Sequence, residues 1–381
     1  MNIAFDALPL LGRRTGIGWC EAGQVSAMTR LHPEHRFTLN YFAARHLNEK
    51  KQDIAPFIRE NVTAHHAFCS PYGYRLVSSF LPVPYQWFFG AQNDLTHFFN
   101  YIIPPKTGGK TVVTVHDMVL HAYPETVRAR TRHMLQLGLK TSMQRADRIV
   151  TDSEFSKSEI LKYYPDVTEK LRVVPCGVDC NTFHPVTDTA EINRVCERYG
   201  ICAPYFLYLG TLEPRKNLTR LIEAYAAYVH SFDHPAQLVL AGGKGWLYDD
   251  IFRTVQTLGL ETQVVFTEYI ASADMCALMS GALAFTFPSL YEGFGMPPLE
   301  AMACGTPVLV SDAASLPEVT GDSAVIVRAQ DVASMTEGLC CLHEDTALRE
   351  RLSQEGLARA QQFSWERSAE KLFTVYREVL G

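Results

Sequence analysis

The stretch LAFTFPSLYEGFGMPPLEAMACGTPVLVSD, residues 283–312, decides how the rest of the chain is read. It opens on an apolar run and passes into a loop holding Gly293 and Gly295. Pro297 and Pro298 follow, then a short apolar pattern ending at Gly305, then a second apolar run over 307–312. Runs that are apolar throughout, rather than alternating, suit strands covered on both faces, as in a parallel sheet. Paired prolines preset φ for a first helical turn, and a glycine closes the helix. The stretch therefore reads as strand, loop, helix, strand.

The same grammar repeats outward in both directions. Apolar runs at 2–5, 37–42, 95–99, 111–117, 148–153 and 171–177 form one series, and those at 205–210, 237–243, 263–269, 283–289, 307–312 and 324–327 a second. The segments between them have room for crossover helices. Residues 216–232 place Leu218, Leu221, Ile222, Tyr225 and Val229 on one helical face. Residues 272–281 read as a helix capped by Ser272 and ended by Gly281. A polar stretch over 181–204, flanked by Pro185 and Pro204, separates the series. The expectation is α/β, with two Rossmann-like, doubly wound domains over 1–184 and 185–363. Ligands sit at the carboxyl ends of strands in such sheets, and two facing domains would enclose a central cleft.

Composition excludes several classes. The 381 residues carry a formal net charge of -6, so no basic field points to nucleic acid. The N-terminal stretch MNIAFDALPLLGRRTGIG has no basic segment ahead of an apolar core, so no secretory signal is expected. No apolar run reaches the ~18 residues of a membrane span. Ten cysteines without C-x-x-C pairs suit a reducing compartment. Cys176, Cys180 and His184 stand close in sequence, but a fourth ligand is missing and no metal site is expected.

The strand ends carry the candidate chemistry. Arg215 and Lys216 stand where the helix 216–232 is expected to begin. The macrodipole disfavours each cation there by ~0.3–1 kcal/mol. A bound phosphate reverses that, since a helix N-terminus with adjacent Arg and Lys is an anion site. Two solvated charges on a turn are the alternative. Gly16 and Gly18 resemble half of a dinucleotide fingerprint, but Glu21 fills the third glycine position. A flexible turn and a backbone cradle for phosphate or sugar both remain open there. His116 follows a central-looking strand, where a catalytic site is expected and a hydrogen bond to a sugar hydroxyl is one role; a structural hydrogen bond, the commoner role of a lone histidine, is the alternative. Glu292 and Glu300 stand eight residues apart. Glu300 is expected in or near the first turn of its helix, favoured by the dipole. Glu292 is expected in a loop whose glycines admit a ligand to the backbone.

With these motifs in hand, the sequence resembles the retaining glycosyltransferases of family 4, which have the GT-B fold. EGFGMPPLEAMACGTPVLVSD is similar to that family's signature, GTLEPRKNLTRLIEAY to its donor-phosphate segment, RTGIGWCEAGQVSAM to its glycine loop and TVHD to its histidine segment. The resemblance implies that Glu300 binds the ribose of a nucleotide-sugar and that Glu292 lies near the donor sugar. It implies backbone contacts from Gly293, Phe294, Gly295 and Met296, and neutralisation of the diphosphate by Arg215 and Lys216. His116 would touch the transferred sugar, and Gly16 and Gly18 would border donor and acceptor. Residues 364–381 would form a helix crossing back to the first domain. Two departures stand out. Thr211 occupies a position that is Arg in many members, and the usual NGVD reads Cys176-Gly177-Val178-Asp179.

The family's favoured mechanism is front-face transfer with retained configuration, the leaving phosphate taking the acceptor proton. It needs no metal and no cofactor beyond the nucleotide-sugar. The combination of motifs most resembles bacterial O-antigen and polysaccharide mannosyltransferases. That implies GDP-mannose as donor and a lipid-linked saccharide acceptor at the inner face of the cytoplasmic membrane. Aromatic residues over 71–90, and basic ones at 128, 130, 132, 140, 145 and 148, suit peripheral contact with an anionic bilayer; a packed loop and a solvated helix are the alternative. The rival classes are a GT-B transferase using a UDP-sugar, a nucleotide-sugar epimerase, a glycoside hydrolase or phosphorylase using Glu292 and Glu300 as its acid and base, and a non-catalytic sugar-nucleotide or scaffold protein.

Overall fold

The computed structural model describes residues 1–381, the side chains of Tyr72, Ser79 and Phe80 set aside. The chain divides into two units, Met1–Gly177 with Trp365–Gly381, and Val178–Ser364. The division falls seven residues before the expected boundary at 184/185. Backbone pairing explains the shift. Val178 N–H donates to Phe363 O at 2.7 Å, and the Cys276 thiol donates to Thr182 O at 2.9 Å, so residues from 178 onward are held by the second unit.

The first unit is built on a seven-stranded sheet of β1 (Asn2–Asp6), β2 (Arg36–Phe42), β3 (Val62–Ala67), β4 (Leu95–Phe98), β5 (Lys110–Thr114), β6 (Arg148–Thr151) and β7 (Leu171–Val173). Their order across the sheet is β3-β2-β1-β4-β5-β6-β7, and each pair is parallel. Ile3, Ala4 and Phe5 are wholly buried, as the all-apolar run requires. β3, VTAHHA, was not legible by hydropathy. As an edge strand it buries Val62 and Ala67 while His65 and His66 stay exposed, so it lacks the apolar run of its neighbours.

One face of this sheet is closed by the helices Gly16–Leu31 and Trp365–Leu380, which share a core with Phe5, Phe37 and Leu95. Gly23 makes the approach feasible. A Cβ there would lie 2.2 Å from the Trp365 ring. His97, in β4, links the returning helix to the sheet through Tyr376 Oη at 2.6 Å and Thr114 Oγ1 at 2.8 Å.

The second unit holds β8 (Tyr205–Leu209), β9 (Gln237–Ala241), β10 (Val264–Glu268), β11 (Ala284–Phe287), β12 (Val308–Ser311) and β13 (Val325–Val327). The order β10-β9-β8-β11-β12-β13, all parallel, is the Rossmann order, reversing direction between β8 and β11. Two expected helices are shorter than read. The helix after β8 is Leu218–Val229, because Asn217 adopts φ 61° and breaks the turn ahead of it. Asparagine tolerates that left-handed conformation better than most residues. Ser272 is not a helix cap. It opens a 3₁₀ turn, and the helix proper is Met275–Gly281. Asp274 before it is turned to Arg198 Nη1 at 2.7 Å and Tyr199 Oη at 2.7 Å.

Candidate active site

The reversal between β8 and β11 is where a doubly wound sheet opens a crevice at its carboxyl edge. The loops leaving these strands run over 210–217 and 288–295. A Cβ on Gly242, just after β9, would lie 1.9 Å from Gly210 O, so only glycine lets the loops leaving β8 and β9 start so close together. The β8 loop forms a 3₁₀ turn over Pro214–Lys216 and is laced to the β11 loop. Leu290 N–H donates to Arg215 O at 2.9 Å, and Asn217 Nδ2 donates to Pro288 O at 3.0 Å and Ala329 O at 2.7 Å. Lys216 thus ends the turn before the helix rather than opening the helix, and its side chain is directed inward.

The charged groups meet there. Lys216 Nζ lies 2.6 Å from Glu292 Oε1, Arg215 Nη1 lies 2.8 Å from Glu292 Oε2, and Arg215 Nη2 lies 2.7 Å from Glu213 Oε1. Lys216 and Glu292 are each 8% exposed. Burial works against a charged Glu292, but the Arg215 and Lys216 charges overcome it and hold the carboxyl down at about 2. Burial draws Lys216 below the usual ammonium range and Arg215 adds to this, while Glu292 and Glu213 pull the other way. The array is two cations laced to two carboxylates, with little water to screen them.

The β11 loop is held from behind. Ser315 Oγ lies 2.9 Å from Glu292 O and 2.8 Å from Phe294 O, sharing its hydroxyl between the two carbonyls. Gly295 has φ 105° and caps the helix Met296–Ala303. Pro297 and Pro298 lack an N–H, so the donors at this end are the backbone N–H groups of Phe294, Gly295 and Met296. Glu300 is the fifth residue of this helix, just past its first turn. It is half-buried, and burial, with Cys276 adding, raises its carboxyl to about 7.

The expected residues of the first unit behave differently. His116 is buried with both ring nitrogens engaged, Nδ1 with Asp152 Oδ2 at 2.6 Å and Nε2 with Phe99 O at 2.8 Å. Burial opposes its charge, and the Asp152 carboxylate overcomes that to raise it to about 10. Both ring nitrogens are thus engaged within the first unit, the structural role that stood beside the expected sugar contact. Gly16 and Gly18 are the first and third residues of the helix Gly16–Leu31, not part of a free loop. Gly18 is explained by packing, since a Cβ there would lie 2.4 Å from Pro9 O. Gly16 is exposed at a helix end whose first N–H groups have no partner within the helix.

Of the expected residues, the second unit joins Arg215, Lys216, Glu292 and the Gly293–Met296 loop into one array, with Glu300 on the helix that loop caps. Asn217 and Ser315 went unread. Nothing marks Ser315 in the sequence, whereas the Asn before an amphipathic run was a usable sign of a left-handed cap. A shallow groove lined by Pro204, Leu283, Pro307 and Arg349 lies at the opposite ends of the strands and holds none of these groups. Among the described residues, no helix is long and apolar enough to cross a membrane.

Residues 32–182 match the sequence pattern described as Glycosyltransferase Family 4, and residues 202–359 that described as Glycosyl transferases group 1. O-antigen chain mannosyltransferase B of Escherichia coli is 34% identical over 283 residues, covering 74% of this chain and 73% of that protein. The chain belongs to glycosyltransferase family 4. A serotype-specific mannosyltransferase, WbdA of E. coli, is 31% identical over 68% of this chain, which spans only 32% of WbdA. Among solved structures, Anabaena Alr3699/HepE in complex with UDP and glucose superposes with a TM-score of 0.74 at 19% identity, covering 99% of this chain and 100% of that one. This glycosyltransferase therefore has the GT-B fold, built from the two Rossmann-like units described above.

Proposed function

We propose that this glycosyltransferase moves mannose from GDP-mannose to a lipid-linked saccharide, with retention at the anomeric carbon, during O-antigen or polysaccharide assembly. The observation that carries the chemistry is the buried Arg215–Glu292–Lys216 array at the reversal between β8 and β11. Support for the sugar is the O-antigen mannosyltransferase at 34% identity.

In this reading Glu292 is the resting counter-ion of the two cations. When the donor binds, its diphosphate takes Arg215 and Lys216, and the Glu292 carboxylate turns to hydroxyls of the transferred sugar. Departure of the nucleoside diphosphate builds charge on its β-phosphate, which the two cations and the loop N–H groups are already oriented to stabilise. That phosphate oxygen accepts the proton of the attacking hydroxyl on the same face. Glu300 holds the ribose through its hydroxyls. Arg215 and Lys216 carry the neutralisation, so the proposal assigns no divalent ion to the leaving group. His116 has no direct contact with the sugar here. It positions the end of β5, where its own carbonyl accepts from Ser156 Oγ at 3.0 Å.

A peripheral membrane contact at the inner face of the cytoplasmic membrane is part of the proposal. Its support is exposed Leu81 and Trp87 within the 71–90 stretch and Phe68 beside it, with Arg128, Arg130, Lys140 and Arg145 exposed along or next to the helix Ala129–Arg145. Arg132 donates to Pro124 O and Arg148 pairs with Glu378, and both are half-buried. The side chains of Tyr72 and Phe80 lie outside the described residues. Flotation with anionic and neutral liposomes tests this: binding to anionic vesicles is expected, and no binding to either overturns it.

The donor is tested by thermal stabilisation across a panel of nucleotide-sugars. A shift with GDP-mannose alone is expected. A UDP-sugar preference, the reading favoured by the UDP complex of the Anabaena relative in fold, overturns the donor assignment. The anomeric configuration of the product, read by NMR, decides retention.

A further inference from the structure

Four side chains from four elements of the first unit converge on one buried spot that the proposed transfer leaves unused. Cys20 comes from the helix Gly16–Leu31, His116 follows β5, Asp152 follows β6 and Cys176 follows β7. Sγ of Cys20, a ring nitrogen of His116 and a carboxylate oxygen of Asp152 all lie within 4.8 Å of one another. Cys176 Sγ is 3.0 Å from Cys20 Sγ, and the Cys176 thiol stands beside the Asp152 carboxyl. Cys20 is 1% exposed, Asp152 and Cys176 3%, and His116 6%.

Two observations go beyond crowding. Asp152 Oδ1 is buried and has no hydrogen-bond partner among the described residues, a costly condition for a carboxylate oxygen. His116 gives Nε2 to the Phe99 carbonyl at 2.8 Å, which leaves Nδ1 as the nitrogen directed at the cluster. That is the outer hydrogen bond that fixes a metal-ligating imidazole, with the far N–H on a backbone carbonyl.

We propose that Cys20 Sγ, Cys176 Sγ, His116 Nδ1 and an Asp152 carboxylate oxygen form a structural site for zinc. Two thiolates, an imidazole and a carboxylate make a closed four-coordinate set of the ligand types zinc takes. The thiolates select against magnesium and calcium. Zn–S bonds of ~2.3 Å and Zn–N or Zn–O bonds of ~2.0 Å give tetrahedral edges of about 3.3–3.8 Å. The present separations of 3.0 Å between the sulfurs and 2.6 Å between Nδ1 and Oδ2 are shorter, held together by the protons the metal would displace. Each edge opens by less than about 1 Å as both thiols and the His116 Nδ1 give up their protons to solvent. The bound ion would pin the start of the glycine-bearing helix to the carboxyl ends of β5, β6 and β7. This differs from the Cys176–Cys180–His184 grouping suggested by sequence: Cys176 belongs to the first unit, and Cys180 and His184 to the second.

The test uses the full chain produced in zinc-supplemented medium, with its metal content measured after exhaustive dialysis. One zinc per chain is expected, falling to background in Cys20→Ser and Cys176→Ser and kept in Cys180→Ser, whose thiol is exposed. Because the first two variants could fail to fold, wild-type protein grown with cobalt(II) supplies a second readout. It should show near-ultraviolet thiolate-to-cobalt charge-transfer absorption. Zinc-free wild-type protein, a cobalt form without that absorption, zinc retained in both serine variants, or a Cys20–Cys176 disulfide in an unreduced peptide map would each overturn the proposal.

Discussion

Replacing Glu292 by Gln keeps the shape of the side chain and deletes its charge, leaving Lys216 and Arg215 facing each other in a buried site. The magnitude follows from the carboxyl itself. A shift from its ordinary 4.5 to about 2 corresponds to ~3 kcal/mol of interaction with the ionised form. The folded value is lowered, so this contribution is complete above 4.5 and is lost as pH falls toward about 2; at pH 7 all of it is present. Breaking a buried pair by removing one partner costs about 3–5 kcal/mol, the same range. For a unit of this size each kcal/mol lowers the melting temperature by roughly 2–4 °C, so E292Q should unfold ~6–12 °C earlier by scanning calorimetry at pH 7. Added GDP should stabilise the variant more than the wild type, because phosphate oxygens supply the missing counter-charge. Sugar transfer should nevertheless fall by at least ~tenfold, about 1.4 kcal/mol of barrier. A melting temperature within about 2 °C of wild type would refute the counter-ion argument. A variant that GDP stabilises less than wild type would refute the exchange of carboxylate for diphosphate.

The remaining predictions concern neighbouring residues. Glu300 sits at about 7, so it is protonated below that pH and ionised above it. If the ionised form accepts the ribose hydroxyls, kcat/KM for the donor should rise ~tenfold between pH 6 and 8, and E300Q should flatten that profile. Gly242→Ala drives a Cβ to 1.9 Å from Gly210 O, so unfolding in urea should show a loss of at least ~2 kcal/mol, or no folded protein. Asn217→Ala orphans the Pro288 and Ala329 carbonyls and strains φ 61°, costing ~2–4 kcal/mol; Asn217→Gly, which accepts that φ, should cost measurably less in the same assay.

Much of this architecture was legible because parallel strands buried on both faces must be apolar throughout, and twelve such runs coincide with twelve of the thirteen strands. β3 escaped because an edge strand keeps one side wet. Glu292, Arg215 and Lys216 were legible as residues after strands, since strand order turns that position into a crevice. Their mutual ion pairs were not, because a separation of 76 residues leaves no local trace. The partners of His116 were hidden for a related reason. Its position after a central strand was read correctly, but only the fold brings Asp152 and the Phe99 carbonyl onto its two nitrogens.

The helix Trp365–Leu380 contributes Ala369, Leu372, Phe373 and Tyr376 to the core of a unit whose other residues end at Gly177. Protein synthesis meets these parts in an order that structure alone conceals. The second unit, Val178–Ser364, is continuous and complete once Ser364 clears the ribosome. The first unit is made first, yet one of the two helices that cover one face of its sheet, Trp365–Leu380, is made only after the whole second unit. The helix Gly16–Leu31 is available early to cover part of that face, while the part taken by Ala369, Leu372, Phe373 and Tyr376 stays open through translation of the whole second unit. The first unit is thus the last to complete its core, and a chain stopped before Trp365 would carry a finished second unit joined to a sheet that lacks one of its two covering helices, a species exposed to aggregation and proteolysis.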